Sequence, residues 1–124
     1  MQKISLFLLG KKGYQVLNAA VSGGFKELLQ LVIVGEDGNI QDDFSKEIEK
    51  LCEENTIPYC SRKNFIYSFV HMNTCIAIAA GWRWLIKCNF KQIIVIHDSL
   101  LPKYRGFNPL VTALLNKDEE VGVT

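Results

Sequence analysis

No long apolar run, no CxxC pair and no excess of one charge is found in this sequence, and each absence excludes something. The opening Ile4-Ser5-Leu6-Phe7-Leu8-Leu9 is far shorter than the ~20 apolar residues that a membrane-spanning helix needs. It is followed by Lys11-Lys12 and has no small-residue cleavage site, so it fails both as a membrane span and as a signal peptide. Cys52, Cys60, Cys75 and Cys88 are scattered, without metal-ligand spacing or a disulfide framework. They read as reduced core thiols of a cytoplasmic protein, with no metal site expected. Fourteen basic and thirteen acidic side chains leave a net charge of +1, so no basic field announces a nucleic-acid partner. Repeats, low-complexity tracts and linkers are also missing, and 124 residues have room for one ordinary domain or for part of a larger one.

What is present is a rhythm. Short runs rich in Ile, Leu and Val alternate with longer amphipathic stretches, the pattern of helices covering both faces of an open, mostly parallel, Rossmann-like α/β sheet. Strands are expected at Ile4–Leu9, Leu31–Val34, Cys75–Ala80 and Gln92–Ile96, with a short one near Ile57–Tyr59 and a last one beginning at Val121. Helices are expected at about Tyr14–Ser22, Asp43–Glu54 and Pro109–Leu115. Carboxylates open the second, where they suit the positive end of the helix dipole, and Gly23-Gly24 terminates the first. Gly10-Lys11-Lys12-Gly13 stands where a dinucleotide-binding protein carries its glycine fingerprint, but two glycines match that pattern poorly and a tight strand-to-helix turn is the better reading. The sequence stops at Gly122-Val123-Thr124 just as another strand is expected to begin, which points to a fragment truncated at the carboxy-terminal end.

The chemistry concentrates in Ile93-Ile94-Val95-Ile96-His97-Asp98-Ser99-Leu100-Leu101-Pro102-Lys103-Tyr104-Arg105-Gly106. Four β-branched residues make a buried strand, and His97 arrives where it ends. Ligands of open parallel sheets bind outside the carboxyl ends of the strands, so the place suits a site. His97 can exchange a proton near neutral pH, yet a lone histidine at a strand end is more often a hydrogen-bonded structural residue. Asp98 and Ser99 suit a turn or a helix cap, and Pro102 and Gly106 bracket a rigid loop. Lys103 and Arg105 can hold an anion or simply be solvated. Trp82 and Trp84, flanking Arg83, can stack on a planar ring, or one of them can belong to the core with the arginine in solvent. His71 reads as a surface or capping residue, and Asp42-Asp43 and Glu53-Glu54 as helix ends facing water.

The unbroken His-Asp-Ser-Leu-Leu-Pro-Lys-Tyr-Arg-Gly at 97–106, continued by Pro109, Ala113 and Gly122-Val123-Thr124, resembles the signature of the formyltransferases that use 10-formyltetrahydrofolate. This family includes glycinamide ribonucleotide transformylase, methionyl-tRNA formyltransferase and sugar-nucleotide N-formyltransferases. The resemblance extends to Ala80-Gly81-Trp82-Arg83-Trp84-Leu85, where these enzymes carry a loop whose backbone holds the pterin. It implies that residues 1–124 form an incomplete amino-terminal, folate-binding domain. His97 would then be the catalytic histidine. Trp82, Arg83, Trp84 and Leu85, with Ser99, Leu100, Leu101, Pro102, Tyr104, Arg105 and Gly106, would line the folate. The donor would be 10-formyltetrahydrofolate and the acceptor a primary amine, a small one such as a nucleotide-linked amino sugar being favoured by the near-neutral charge, with tRNA left open.

Two departures from the family matter. Its asparagine two residues before the histidine is Val95 here, which donates no hydrogen bond, so that either Asn108 or a backbone N–H supplies an oxyanion donor or activity is weak or lost. Its aspartate some three dozen residues after the histidine falls beyond Thr124, and Asp98 is a poor substitute because adjacent strand residues point to opposite sides. The rival reading is a non-catalytic binding domain or pseudoenzyme; a nucleotide-binding Rossmann module is weakened by the poor glycine pattern.

Overall fold

A computed structural model describes residues 2–65, 75–87, 89–105 and 109–124. The elements run β1 (Lys3–Leu8), α1 (Gly10–Ser22), β2 (Leu29–Val34), α2 (Ser45–Glu54), β3 (Tyr59–Ser61), β4 (Cys75–Ala80), β5 (Gln92–Ile96) and α3 (Pro109–Leu115). The sheet order is β3-β2-β1-β4-β5, with β1 parallel to both β2 and β4 and β2 parallel to β3. The chain forms two compact units, Met1–Ile94 and Val95–Thr124.

In the first unit β1 is central and apolar along most of its length, because both its faces are covered. Register places Phe7 between Ile33 and Ala79, and Leu8 between Val34 and Ala80. Alternation then sorts the side chains. Phe7, Leu31, Ile33, Ala77 and Ala79 form one buried cluster, against which Cys60, Phe65, Trp82, Ile86 and Phe90 pack. Phe7 meets Phe65, Trp82 and Phe90 edge-on, with centroids 5.2–5.7 Å apart. Such pairs contribute roughly 0.5–1.5 kcal/mol each beyond the area they bury.

Leu6, Leu8, Val32 and Val34 point the other way and are also fully buried. There α1 packs on β1 and β4, and α2 on β2. The helices contribute Leu17, Ile48 and Cys52, each inaccessible to solvent. Gly13 makes the approach of α1 possible: a Cβ there would lie 2.9 Å from Leu8 Cβ. Burial raises the Cys52 thiol to about 12, and among the described residues Cys52, Cys60 and Cys75 form no disulfide.

Several boundaries differ from expectation. α1 starts at Gly10, so Gly10–Gly13 is the first helical turn and not a separate tight turn. No acidic residue occupies that turn; the Gly10 N–H is satisfied by the Asp43 carbonyl at 2.9 Å. α2 starts at Ser45, with Phe44 in the left-handed region and Asp42 and Asp43 outside the helix. β3 lies at Tyr59–Ser61, two residues later than expected, because Ile57 is spent on closing α2 through its N–H bond to the Cys52 carbonyl.

Two expectations need correcting more deeply. β5 keeps its predicted bounds but is not a buried strand: Ile93, Ile94 and Val95 are 41%, 42% and 54% exposed. β-branching fixed the backbone state, while burial depends on what lies on the faces, and β5 is the outermost strand. The strand expected from Val121 is absent, and residues 121–124 are irregular. The His71 and Cys88 assignments fall outside the described residues.

Candidate functional site

In the second unit β5 delivers His97, and the backbone is fixed at once. The His97 N–H donates to the Thr124 carbonyl and the Thr124 N–H to the His97 carbonyl, both at 2.7 Å. This double exchange has the form of a hydrogen-bonded antiparallel pair. The Thr124 hydroxyl donates to the Ser99 carbonyl at 2.6 Å and accepts from the Leu101 N–H at 3.1 Å. One residue thereby holds the chain at 97, 99 and 101.

The loop then closes on itself. Ser99 Oγ, buried, donates to the Lys103 carbonyl at 2.7 Å, and the Lys103 N–H donates to the Leu100 carbonyl at 3.1 Å. The Leu101–Pro102 peptide is cis. His97 Nε2 lies 2.8 Å from the Tyr104 carbonyl. A carbonyl can only accept, so Nε2 carries the proton, and in a neutral ring the lone pair is then on Nδ1. Tyr104 itself adopts φ 53°, and its hydroxyl donates to Asp118 Oδ2 at 2.5 Å and accepts from Asn116 Nδ2 at 3.2 Å.

Between this loop and the segment after α3 lies a cavity of about 270 Å³. Asp98, Ser99, Leu100, Pro102, Lys103 and Tyr104 line it from one side, and Ala113, Asp118, Glu120, Val121 and Gly122 from the other. His97 is not among the lining residues and adjoins the cavity through its bond to Tyr104. Leu100, Leu101, Pro102, Lys103 and Arg105 are exposed. Val95 is exposed on β5 and has no polar atom to offer. Gly106 and Asn108 lie outside the described residues.

The Trp82–Leu85 segment belongs to the first unit. Gly81 turns the chain out of β4 at φ +69°, and a Cβ there would collide with the Leu9 carbonyl oxygen. The two indoles pack edge to face at 5.0 Å. Gly35 gives them room, since its Cβ would come 2.8 Å from the Trp84 ring and 3.1 Å from that of Trp82. Trp82 Nε1 is buried without an acceptor among the described residues. The guanidinium over Trp84 is Arg62, 4.2 Å from the ring centroid, and not Arg83. Leu85 is 81% exposed.

Arg83 is not simply solvated: its Nη1 pairs with Asp37. The Asp37 carboxyl is held below its ordinary value, first by the Asn39 backbone N–H at 2.9 Å and also by Arg83, against the opposing effect of burial. Nor does Asp43 simply face water. Burial opposes its ionisation, but the N–H groups of Ser45 and Asp37, at 2.9 and 3.0 Å, hold it ionised at lower pH than usual. Glu53 faces water as expected and there accepts a hydrogen bond from the Tyr59 hydroxyl.

Sequence reasoning missed Asp118, Asn116 and the clamp at Thr124. Asn116-Lys117-Asp118 follows α3 as a run of turn formers, which signals a helix end but not a partner for Tyr104.

The family model described as Formyl transferase matches residues 72–124. A methionyl-tRNA formyltransferase of Thermodesulfovibrio yellowstonii is 32% identical over 122 aligned residues, covering 87% of this chain and 39% of the relative. One from Campylobacter jejuni subsp. doylei is 64% identical over 50 residues, or 39% of this chain and 16% of the relative. The chain thus spans well under half the length of these relatives. Among solved structures, WlaRD, a sugar 3N-formyl transferase crystallised in the presence of dTDP and 5-N-formyl-THF, superposes with a TM-score of 0.64 at 25% identity, covering 100% of this chain and 45% of that one. The matched region takes in β4, β5, the histidine loop, α3 and Thr124, so the part of the chain that carries the candidate site is similar to the formyltransferase family.

Proposed function

We propose that this chain is the folate-binding, amino-terminal portion of an N-formyltransferase, which moves a formyl group from 10-formyltetrahydrofolate to a primary amine. The observation that carries the reading is His97, placed at the carboxyl end of β5 and followed by a loop tied down at 97, 99, 101 and 103. Preorganisation of this kind is what a reaction with a developing oxyanion requires. The amine nitrogen attacks the formyl carbon, the bond from that carbon to N10 of the folate breaks, and N10 leaves with a proton. With the Nε2 proton committed to Tyr104, Nδ1 of His97 is the atom that takes a proton from the attacking amine. Once protonated, it becomes a donor toward the oxyanion. Val95 contributes no donor, so Asn108 or a backbone N–H fills that place. Within the second unit, the loop from Ser99 to Arg105 is the part that meets the folate.

A small amine, such as an amino sugar carried by a nucleotide, suits the net charge of +1. Methionyl-tRNA is the second acceptor, favoured by the 64% identity to the Campylobacter relative. Val95 favours a second reading of the site itself, a folate-binding domain without transferase activity.

Calorimetric titration of a stable folate analogue against the chain and the full gene product, with His97→Ala beside each, tests these readings. Binding is expected, together with transfer by the full product to one acceptor and loss of that transfer in His97→Ala. No binding by either form overturns the folate assignment, and binding without transfer to either acceptor leaves the pseudoenzyme.

A further inference from the structure

We propose that Asp118 is a positioning residue for His97, acting through Tyr104; the inference rests on the role given to His97 above. Three hydrogen bonds make the connection. The ring proton on Nε2 goes to the Tyr104 carbonyl at 2.8 Å, the Tyr104 hydroxyl donates to Asp118 Oδ2 at 2.5 Å, and Asn116 Nδ2 donates to that same hydroxyl at 3.2 Å. The direction of each is forced: a carbonyl and a carboxylate only accept, so the phenol must give its proton to Asp118 and is left with lone pairs for Asn116.

Tyr104 is where such support is needed. At φ 53° it holds a conformation that a bulky side chain seldom adopts, and such residues persist where their surroundings over-determine them. Its neighbours give little help, since Lys103 and Arg105 are exposed. The phenol ties the residue to the turn after α3, and that turn is itself anchored: the Asp118 N–H donates to the Ala113 carbonyl at 3.0 Å, and Ala113 is the buried residue of the helix. Without the phenol–carboxylate bond the Tyr104 peptide can rotate. Its carbonyl then leaves Nε2, and the ring is free to move its proton to Nδ1. The tautomer with a lone pair on Nδ1 is thereby a consequence of a carboxylate twenty-one positions away in sequence.

The test compares Asp118→Ala, Asp118→Asn and Tyr104→Phe in the full gene product, with the imidazole nitrogens of His97 followed by 15N NMR. His71→Gln assigns the other histidine. The wild type is expected to show the Nε2–H form of His97. Asp118→Ala and Tyr104→Phe are expected to show a mixture of tautomers, and Asp118→Asn, which keeps an oxygen acceptor, to restore the single form. In steady-state transfer Asp118→Ala loses about 10- to 100-fold in kcat with KM for the folate little changed, as for a catalytic group displaced by a fraction of an ångström or more, and Tyr104→Phe loses a similar factor in kcat. Tyr104→Phe removes one oxygen and keeps the test open should Asp118→Ala not fold. An unchanged tautomer in a folded Tyr104→Phe protein overturns the inference, as does Asp118→Asn behaving like the alanine variant. If no form transfers formyl groups, the proposed activity fails, but the tautomer measurement still decides the role of Asp118.

Discussion

In the unit Met1–Ile94 buried apolar side chains come from β1, β2 and β4 and from both helices, whereas among the described residues of Val95–Thr124 Ala113 alone is a buried apolar side chain. The second unit instead leaves Leu100, Leu101, Leu110, Val111, Leu114, Leu115, Val121 and Val123 exposed. What fixes its conformation is a set of hydrogen bonds converging on Thr124, Ser99 and Tyr104. Each such bond is worth about 0.5–1.5 kcal/mol net, against roughly 1.5–3 kcal/mol for each large apolar side chain fully buried in the first unit. Bulk stability and the candidate histidine site are therefore held by different means: the sheet with α1 and α2 relies on burial, and the histidine loop on directional bonds.

The largest effect expected from this difference is on global stability. Leu17 is fully buried between α1 and the sheet, so Leu17→Ala should cost about 2–5 kcal/mol in urea denaturation. Leu114, equally apolar but 63% exposed on α3, should change stability by no more than about 0.5 kcal/mol when replaced by alanine. Similar costs at both positions would break the comparison.

The same division separates what the sequence made legible from what it hid. Hydrophobic alternation gave β4, β5 and α3 their observed bounds and placed β1, β2 and α1 within a few residues, because the backbone state of an element follows a local residue pattern whether or not its faces are covered. It failed for the burial of β5, which depends on neighbours and not on the strand's own residues. The position of His97 was legible from the strand end and the motif after it. Its wiring was not, since the bonds to Thr124, and through Tyr104 to Asp118, join residues 7 to 27 positions apart and follow no period. Arg83 shows the same limit: its side chain is tied to Asp37, 46 positions away.

A smaller and more local effect follows at Thr124. Thr124→Val keeps the shape of the side chain and removes the hydroxyl that joins the Ser99 carbonyl to the Leu101 N–H. The loss should be about 1 kcal/mol and confined to the loop. Amide exchange at Leu101 is expected to speed up by roughly fivefold to tenfold, while that of Val32, bonded to the Pro58 carbonyl in the first unit, stays unchanged. Acceleration at both sites would mean that the loop bonds support the sheet as well, and the contrast between the units would lose its basis.

The smallest effect concerns a place where the first unit also relies on directional polar contacts. Asp37, held by the Asn39 N–H and by Arg83, ionises at lower pH in the folded chain than its ordinary 3.8. Between those two values the unfolded chain binds more protons than the folded one, so stability rises with pH through that window. The contribution is fully present above the ordinary value and is lost as pH falls through the lowered folded value. Asp37→Asn removes it. The variant should be slightly less stable than the wild type at neutral pH, and the gap should close as pH falls below the ordinary value and through the lowered folded one, followed by urea denaturation at each pH. Because the pair is partly solvated, added salt should narrow the gap at neutral pH. A gap independent of both pH and salt would show that the substitution acts through the shape of the 37–43 loop, and that the carboxylate's charge contributes nothing there.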